Sequence, residues 1–258
     1  MIAIETDGLT KHFGDLVAVN DLDLAIPQGE VYGFLGPNGS GKSTTMGMLA
    51  TLIRPTSGTA RIMGTEITDR NEVIQHISYL PDTLPLFEEL TGREQLGYIA
   101  AVNDIPQEVA ADRSEKYLQR FDLARKADKR IGTYSRGMRQ KLGIIQALIT
   151  QPSVLLLDEP TGGLDPRAAR TVKNVIAELA EGDITIFLTT HILSVVDELA
   201  DSVGVIHEGR LVTEGPIDQL KRRAEAGDEQ TLEEVFLSVT ANHATEWDPE
   251  SSQIGATE

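Results

Sequence analysis

The residues Gly36-Pro37-Asn38-Gly39-Ser40-Gly41-Lys42-Ser43-Thr44 place glycines, a lysine and hydroxyls directly after the apolar run Val31-Tyr32-Gly33-Phe34-Leu35. A strand that ends in such a turn and re-enters as a helix aims several backbone N–H groups at one point, where the helix N-terminus adds partial positive charge. A phosphate group belongs there. The glycines let the backbone close around the anion, Lys42 reaches the β- and γ-phosphates, and the Ser43 hydroxyl ligands Mg²⁺. The chain is therefore expected to bind a nucleotide.

A nucleotide hydrolase also needs a carboxylate at the end of a buried strand, and Val154-Leu155-Leu156-Leu157 followed by Asp158-Glu159 supplies it. Four consecutive aliphatics suit a strand covered on both faces, and the acids then fall at its C-terminal edge, where open α/β sheets bind ligands. Asp158 is expected to hold Mg²⁺ indirectly, through the groups that ligand it, and Glu159 to orient or deprotonate the attacking water. Standing alone, the two acids would be read as caps of the next helix. Beside a phosphate loop they are read as chemistry.

Between these motifs lies Tyr134-Ser135-Arg136-Gly137-Met138-Arg139-Gln140-Lys141, and after them come Gly163-Leu164-Asp165 and Thr189-Thr190-His191. That ordered set, from about residue 2 to 239, resembles the ATP-binding subunit of an ABC transporter. The Tyr-Ser-x-Gly-Met signature and the tail Leu232-Glu233-Glu234-Val235-Phe236-Leu237 are most similar to exporters of the drug, lipid, polysaccharide or ion type.

The resemblance implies an ATPase whose cofactors are ATP and Mg²⁺ and which works as two copies, head to tail. Phe13 matches the aromatic that stacks on adenine, the other reading being a core phenylalanine. Ser135 is a good N-cap for the helix that follows, and with Gly137 it would face the γ-phosphate held by the second copy. Asp165 matches the acid that contacts the opposite subunit; before Pro166 it also suits an ordinary helix start. His191 would sense the γ-phosphate and steady the water held by Glu159. Asp82 stands where the family usually has Gln; its carboxylate can approach Mg²⁺ or the water with a shorter reach. Arg136, Met138 and Gly162 are further departures, the first two in keeping with exporters. Separate membrane-spanning permease subunits are implied as partners, with the chain peripheral at the cytoplasmic face. The other readings are a soluble ABC-type ATPase and an ATP-dependent switch not coupled to transport.

These residues need an α/β architecture to bring them together. Runs near 31–35, 76–79, 154–157 and 184–188 read as buried parallel strands, with helices at 42–52 and 166–181 as crossovers. Strands near 2–5, 17–26 and 59–63 read as an antiparallel N-terminal subdomain. The fold class expected is a P-loop nucleotide hydrolase core with an inserted helical lobe over about 83–150, opened by a capping box at Thr91 and Glu94. Its first segment, with Leu86 and Phe87, either grips a membrane partner or packs the lobe. Short helices are expected over 216–224 and 231–239, closing a domain of residues 1–240. Residues 241–258 are acidic and read as disordered.

Forty acidic against twenty-three basic residues give a formal charge of −17 over 258 residues. Such an excess repels nucleic acid and anionic lipid, so no nucleic-acid partner is expected. It also repels itself unless salt screens it, which suits a salt-rich cytoplasm as in a halophile, the other reading being an acidic subunit of a mesophile. There is no cysteine, and residues 1–5 begin a strand rather than a signal peptide. The longest uncharged run, 142–157, falls short of the ~20 apolar residues that span a bilayer.

Overall fold

The computed structural model describes residues 1–225, 231–234 and 236–237. Two sheets carry the architecture. Strands β1 (Ile2–Phe13), β2 (Leu16–Pro27), β4 (Ser57–Ile62) and β5 (Thr65–Glu66) form an antiparallel sheet in the order β2-β1-β4-β5. Strands β3 (Val31–Leu35), β6 (Ile77–Leu80), β7 (Val154–Asp158), β8 (Thr185–Thr190), β9 (Ser202–His207) and β10 (Arg210–Pro216) form the second, in the order β10-β9-β3-β8-β7-β6. Every pairing in the second sheet is parallel except β9 with β10.

The parallel strands are apolar throughout because both faces are covered. Alternate residues Tyr32, Phe34, Leu156 and Phe187 pack toward Ile4, Leu22 and Ile26 of the antiparallel sheet, with helix α1 (Lys42–Leu49) contributing Met46 and Leu49. The intervening residues Val31, Leu155, Leu157, Ile186 and Leu188 meet helices on the other side. Those are α5 (Arg136–Leu148) and α6 (Pro166–Ala180), which supply Leu142, Ile145, Val172 and Ile176.

Helices α3 (Gly92–Val102) and α4 (Gln107–Arg120) lie between β6 and α5 in the chain; the short α2 (Arg70–Val73) precedes β6. The capping box that opens α3 is present: the Thr91 hydroxyl accepts the Glu94 N–H at 3.2 Å, and Glu94 accepts the Thr91 N–H at 2.8 Å. Leu96, Leu118 and Phe121 of this helical segment share one apolar cluster with the sheet-covering helices. Leu86 packs against that cluster, while Phe87 is half exposed and meets Tyr98 edge-on at 5.4 Å between centroids.

Several boundaries differ from the sequence reading. The first strand runs on to Phe13, because Gly8, at φ 56°, turns the backbone through an irregular register without ending the pairing to β2. Helix α1 stops at Leu49, and Thr51 takes the left-handed conformation at φ 59°. Helix α7 (Leu193–Leu199) and strands β9 and β10 were not read from the sequence. Their hairpin turns on Glu208 and Gly209, at φ 48° and 75°, both values in the region that a two-residue type I′ turn requires. Helix α8 (Ile217–Glu225) follows, and Ile217, Leu220 and Leu232 pack against Leu35, Val203 and Val205. The capping box at Thr231 and Glu234 is formed. Val235, Val239 and the acidic stretch 241–258 lie outside the described residues.

Candidate functional site

The loop from Gly36 to Gly41 joins β3 to α1 at the C-terminal edge of the parallel sheet. It is confined on two sides. A Cβ at Gly36 would stand 2.4 Å from the Ile206 carbonyl, and one at Gly41 would stand 2.5 Å from the Ala18 carbonyl. Gly39 and Gly41 also have φ of 80° and 108°, values that a side chain makes costly. Only a glycine-rich turn fits this gap.

Lys42 is buried, and its ammonium donates to the carbonyls of Gly36 at 2.7 Å and Pro37 at 3.0 Å. Glu159 Oε1 lies 3.8 Å away. Burial pushes the Lys42 pKa down, opposed by the charges of Glu159 and Asp158. An added anion would restore the balance. Among the described residues, Glu159 Oε2 is one of several buried side-chain atoms without a hydrogen-bond partner, here an acceptor that fits a water.

Asp158 ends β7, and its Oδ1 accepts from the Thr189 hydroxyl at 2.5 Å, with Ser43 Oγ at 3.5 Å. Hard oxygen donors of this kind suit Mg²⁺. Among the described residues no three His, Cys, Asp or Glu side chains cluster as a cage. Glu159 takes φ 49°, a left-handed conformation rare for a non-glycine residue. Its N–H donates to both the carbonyl and the hydroxyl of Thr189 at 3.2 Å, and its Oε1 lies 2.9 Å from His191 Nδ1. Because β7 and β8 are parallel neighbours, the residues that follow them emerge side by side.

Lys42, Ser43, Asp82 and Glu159 line a cavity of about 670 Å³ together with Phe13, Leu16, Val17 and Gly41. Phe13 is 49% exposed, which removes the reading that it fills the core. The Lys11 ammonium lies 4.9 Å from its ring centroid. Asp82 also borders a smaller cavity shared with Arg136, Arg139 and Gln140.

Ser135, Gly137 and Asp165 do not line the 670 Å³ cavity. The Ser135 hydroxyl accepts the Met138 N–H at 3.3 Å and caps α5, while Asp165 accepts the Ala168 N–H at 2.9 Å and caps α6. The two helix starts touch: a Cβ on Gly137 would stand 2.8 Å from the Ala168 Cβ, and the Arg136 guanidinium lies against Gly163. The ordinary capping reading of Asp165 therefore holds within one chain.

Sequence reading gave no role to Thr189 or Tyr79. Tyr79 is held neutral, its pKa pushed up to about 12 by burial first and then by the charges of Asp158 and Asp82 and hydrogen bonding to Asp158. A hydroxyl residue in the apolar run of β8 was the available signal at Thr189; Tyr79 resembles any strand aromatic.

Known proteins resemble this chain in sequence and fold. The family model described as ABC transporter matches residues 19–162. A bacitracin transport ATP-binding protein of Bacillus licheniformis is 42% identical over 222 residues, covering 85% of this chain and 72% of its own. A daunorubicin/doxorubicin resistance ATP-binding protein of Streptomyces peucetius is 42% identical over 220 residues, covering 85% of this chain and 67% of its own. A solved structure of the ATP binding subunit of an ABC transporter matches with a TM-score of 0.82 at 29% identity, over 92% of this chain and 99% of that one.

Proposed function

The chain belongs to the ABC transporter family as an ATP-hydrolysing subunit, and from that premise we propose that two copies enclose two MgATP head to tail and drive a membrane permease toward export. The observation that carries this reading is the Glu159 carboxylate, with one oxygen on His191 and the other buried and unpartnered, beside Lys42.

Each residue then has a task. Phe13 stacks on the adenine, and the N–H groups of residues 36–44 surround the phosphates. Lys42 exchanges its two carbonyl acceptors for the β- and γ-phosphates. Charge on those phosphates is neutralised by Mg²⁺ when bound, with Ser43 and Asp158 as its holders and Asp82 at the cavity wall. Glu159 Oε2 accepts a proton from the attacking water, while His191 fixes the carboxylate through Oε1 and meets the γ-phosphate. Positioning and electrostatics suffice for such an in-line displacement. Ser135 and Gly137 of the second copy present the start of α5 to the γ-phosphate, and Asp165 contacts the opposite copy.

No helix among the described residues is long and apolar enough to cross a membrane, so attachment to the cytoplasmic face runs through the permease. Half-exposed Phe87 and Tyr98 support a contact there. Export rests on the relatives named for bacitracin transport and daunorubicin/doxorubicin resistance. The charge of −17 supports a salt-rich cytoplasm as the working medium. Tagged protein is to be recovered with ATP from detergent-solubilised native membranes. A multi-span protein in near one-to-one ratio is the expected companion; recovery from the soluble fraction alone would overturn the transport reading.

A further inference from the structure

One hydroxyl joins the two acids at the end of β7. Asp158 and Thr189 are register partners across the parallel β7–β8 pair, and Thr189 is fully buried. An ionised carboxylate only accepts, so the single Thr189 proton goes to Asp158 Oδ1, at 2.5 Å. Its lone pairs then face the Glu159 N–H, which donates to Thr189 Oγ1 and to the Thr189 carbonyl, both at 3.2 Å. The resulting chain runs from the Glu159 N–H through the Thr189 hydroxyl to the Asp158 carboxylate.

Both ends of that chain need holding. Glu159 sits at φ 49°, a conformation that persists in a non-glycine residue only when its surroundings enforce it. The two acceptors on Thr189 enforce it, and the turn they fix delivers Glu159 Oε1 to within 2.9 Å of His191 Nδ1. At the other end, Asp158 Oδ1 is the oxygen that lies 3.5 Å from Ser43 Oγ, so fixing it sets where the carboxylate and the Ser43 hydroxyl converge. Valine would fill the same space in an apolar strand, and the hydroxyl is what distinguishes this position from its apolar neighbours Phe187 and Leu188.

We propose that Thr189 is a positioning residue for hydrolysis, which orients Asp158 toward the cation position and pins the left-handed turn that aims Glu159. The proposal rests on the reading that Asp158 and Ser43 hold Mg²⁺ and that Glu159 orients the water. Groups that orient a metal's holders change metal affinity or activity by roughly 10- to 100-fold when removed.

The test titrates Mg²⁺ into the full-length T189V, T189S and wild-type proteins carrying a fluorescent ATP analogue, beginning in EDTA, and then measures turnover at saturating Mg²⁺. T189V is expected to match wild type in EDTA, to need roughly 10-fold more Mg²⁺ for half-maximal response, and to turn over roughly 10- to 100-fold more slowly. T189S, which keeps the hydroxyl, is expected to recover both. T189A is scored in the same way if T189V does not fold. D158N, run in parallel, separates the two readings. A Mg²⁺ response lost in D158N but unchanged in the hydroxyl-less variants overturns the role of Thr189 alone. A response unchanged in D158N overturns the assignment of Asp158 beneath it. Failure of T189S to recover either quantity places the effect in packing and also overturns the proposal.

Discussion

The phosphate loop and the Ser135–Asp165 region both gather hydroxyls, carboxylates and helix N-termini, yet they use them in opposite ways. At the loop, Glu159 Oε2 is buried without a partner, and Lys42 is held by carbonyls it can relinquish. At the second region Ser135 and Asp165 are satisfied as caps of α5 and α6, and two helix starts meet at Gly137 and Ala168. Helix N-termini attract anions. One region is thus a cavity bordered by a carboxylate with an unpartnered oxygen, while the other lies outside that cavity with both of its helix caps made; on the proposed reading it meets the triphosphate held by a second copy. On that reading each chain carries one half of two different sites.

The largest expected effect comes from the loop side. Glu159→Gln removes the proton acceptor while keeping the shape, so turnover should fall by roughly 10²- to 10⁴-fold. ATP binding should persist, and a stable ATP-bound dimer should accumulate by size-exclusion chromatography with light scattering. Normal turnover would remove Glu159 from its role. Ser135→Arg probes the other half: turnover should fall by roughly 10²- to 10³-fold, the scale for a lost donor to developing charge. Nucleotide affinity of the single chain, read by fluorescence titration, should stay near wild type. A parallel loss of affinity would place Ser135 in the loop's own cavity and erase the contrast.

A smaller, graded effect concerns charge. Two copies each carrying −17 repel one another, and screening shortens from about 10 Å at 0.1 M salt to about 3 Å at 1 M. ATP-driven pairing and turnover should therefore rise with KCl over that range, more than nucleotide affinity does. Activity and thermal stability that both peak in dilute buffer would contradict the salt-adapted reading.

Much of the loop half was legible in the sequence because its parts are local. Three glycines and a lysine sit within nine residues, and apolar runs end in Asp158 and before His191. Strands β3 and β7 were found almost to the residue, since a strand buried on both faces has no alternation to confuse. Strand β10 was missed because Arg210–Pro216 is partly polar and has no buried residue, and β9, with which it pairs, was missed with it, although the Glu208-Gly209 turn was the available marker. The role of Thr189 was hidden for another reason. A threonine in a strand satisfies β-propensity, and only the register with Asp158 reveals the hydroxyl's partner. For Asp165 the sequence left two readings open, and the cap within one chain is the one that a single chain displays.

The claim that each catalytic site is shared between two copies is tested most directly by mixing two inactive variants. Lys42→Ala homodimers lack a competent loop in both sites, and Ser135→Arg homodimers lack a competent second half in both. A mixed dimer has one site with both defects and one with neither. Equal amounts of the two variants should therefore recover MgATP turnover to about one quarter of wild type, since half of the randomly paired dimers carry one intact site of the two. Turnover that stays at the level of the separate variants, with mixed dimers demonstrably formed, would contradict the shared-site account.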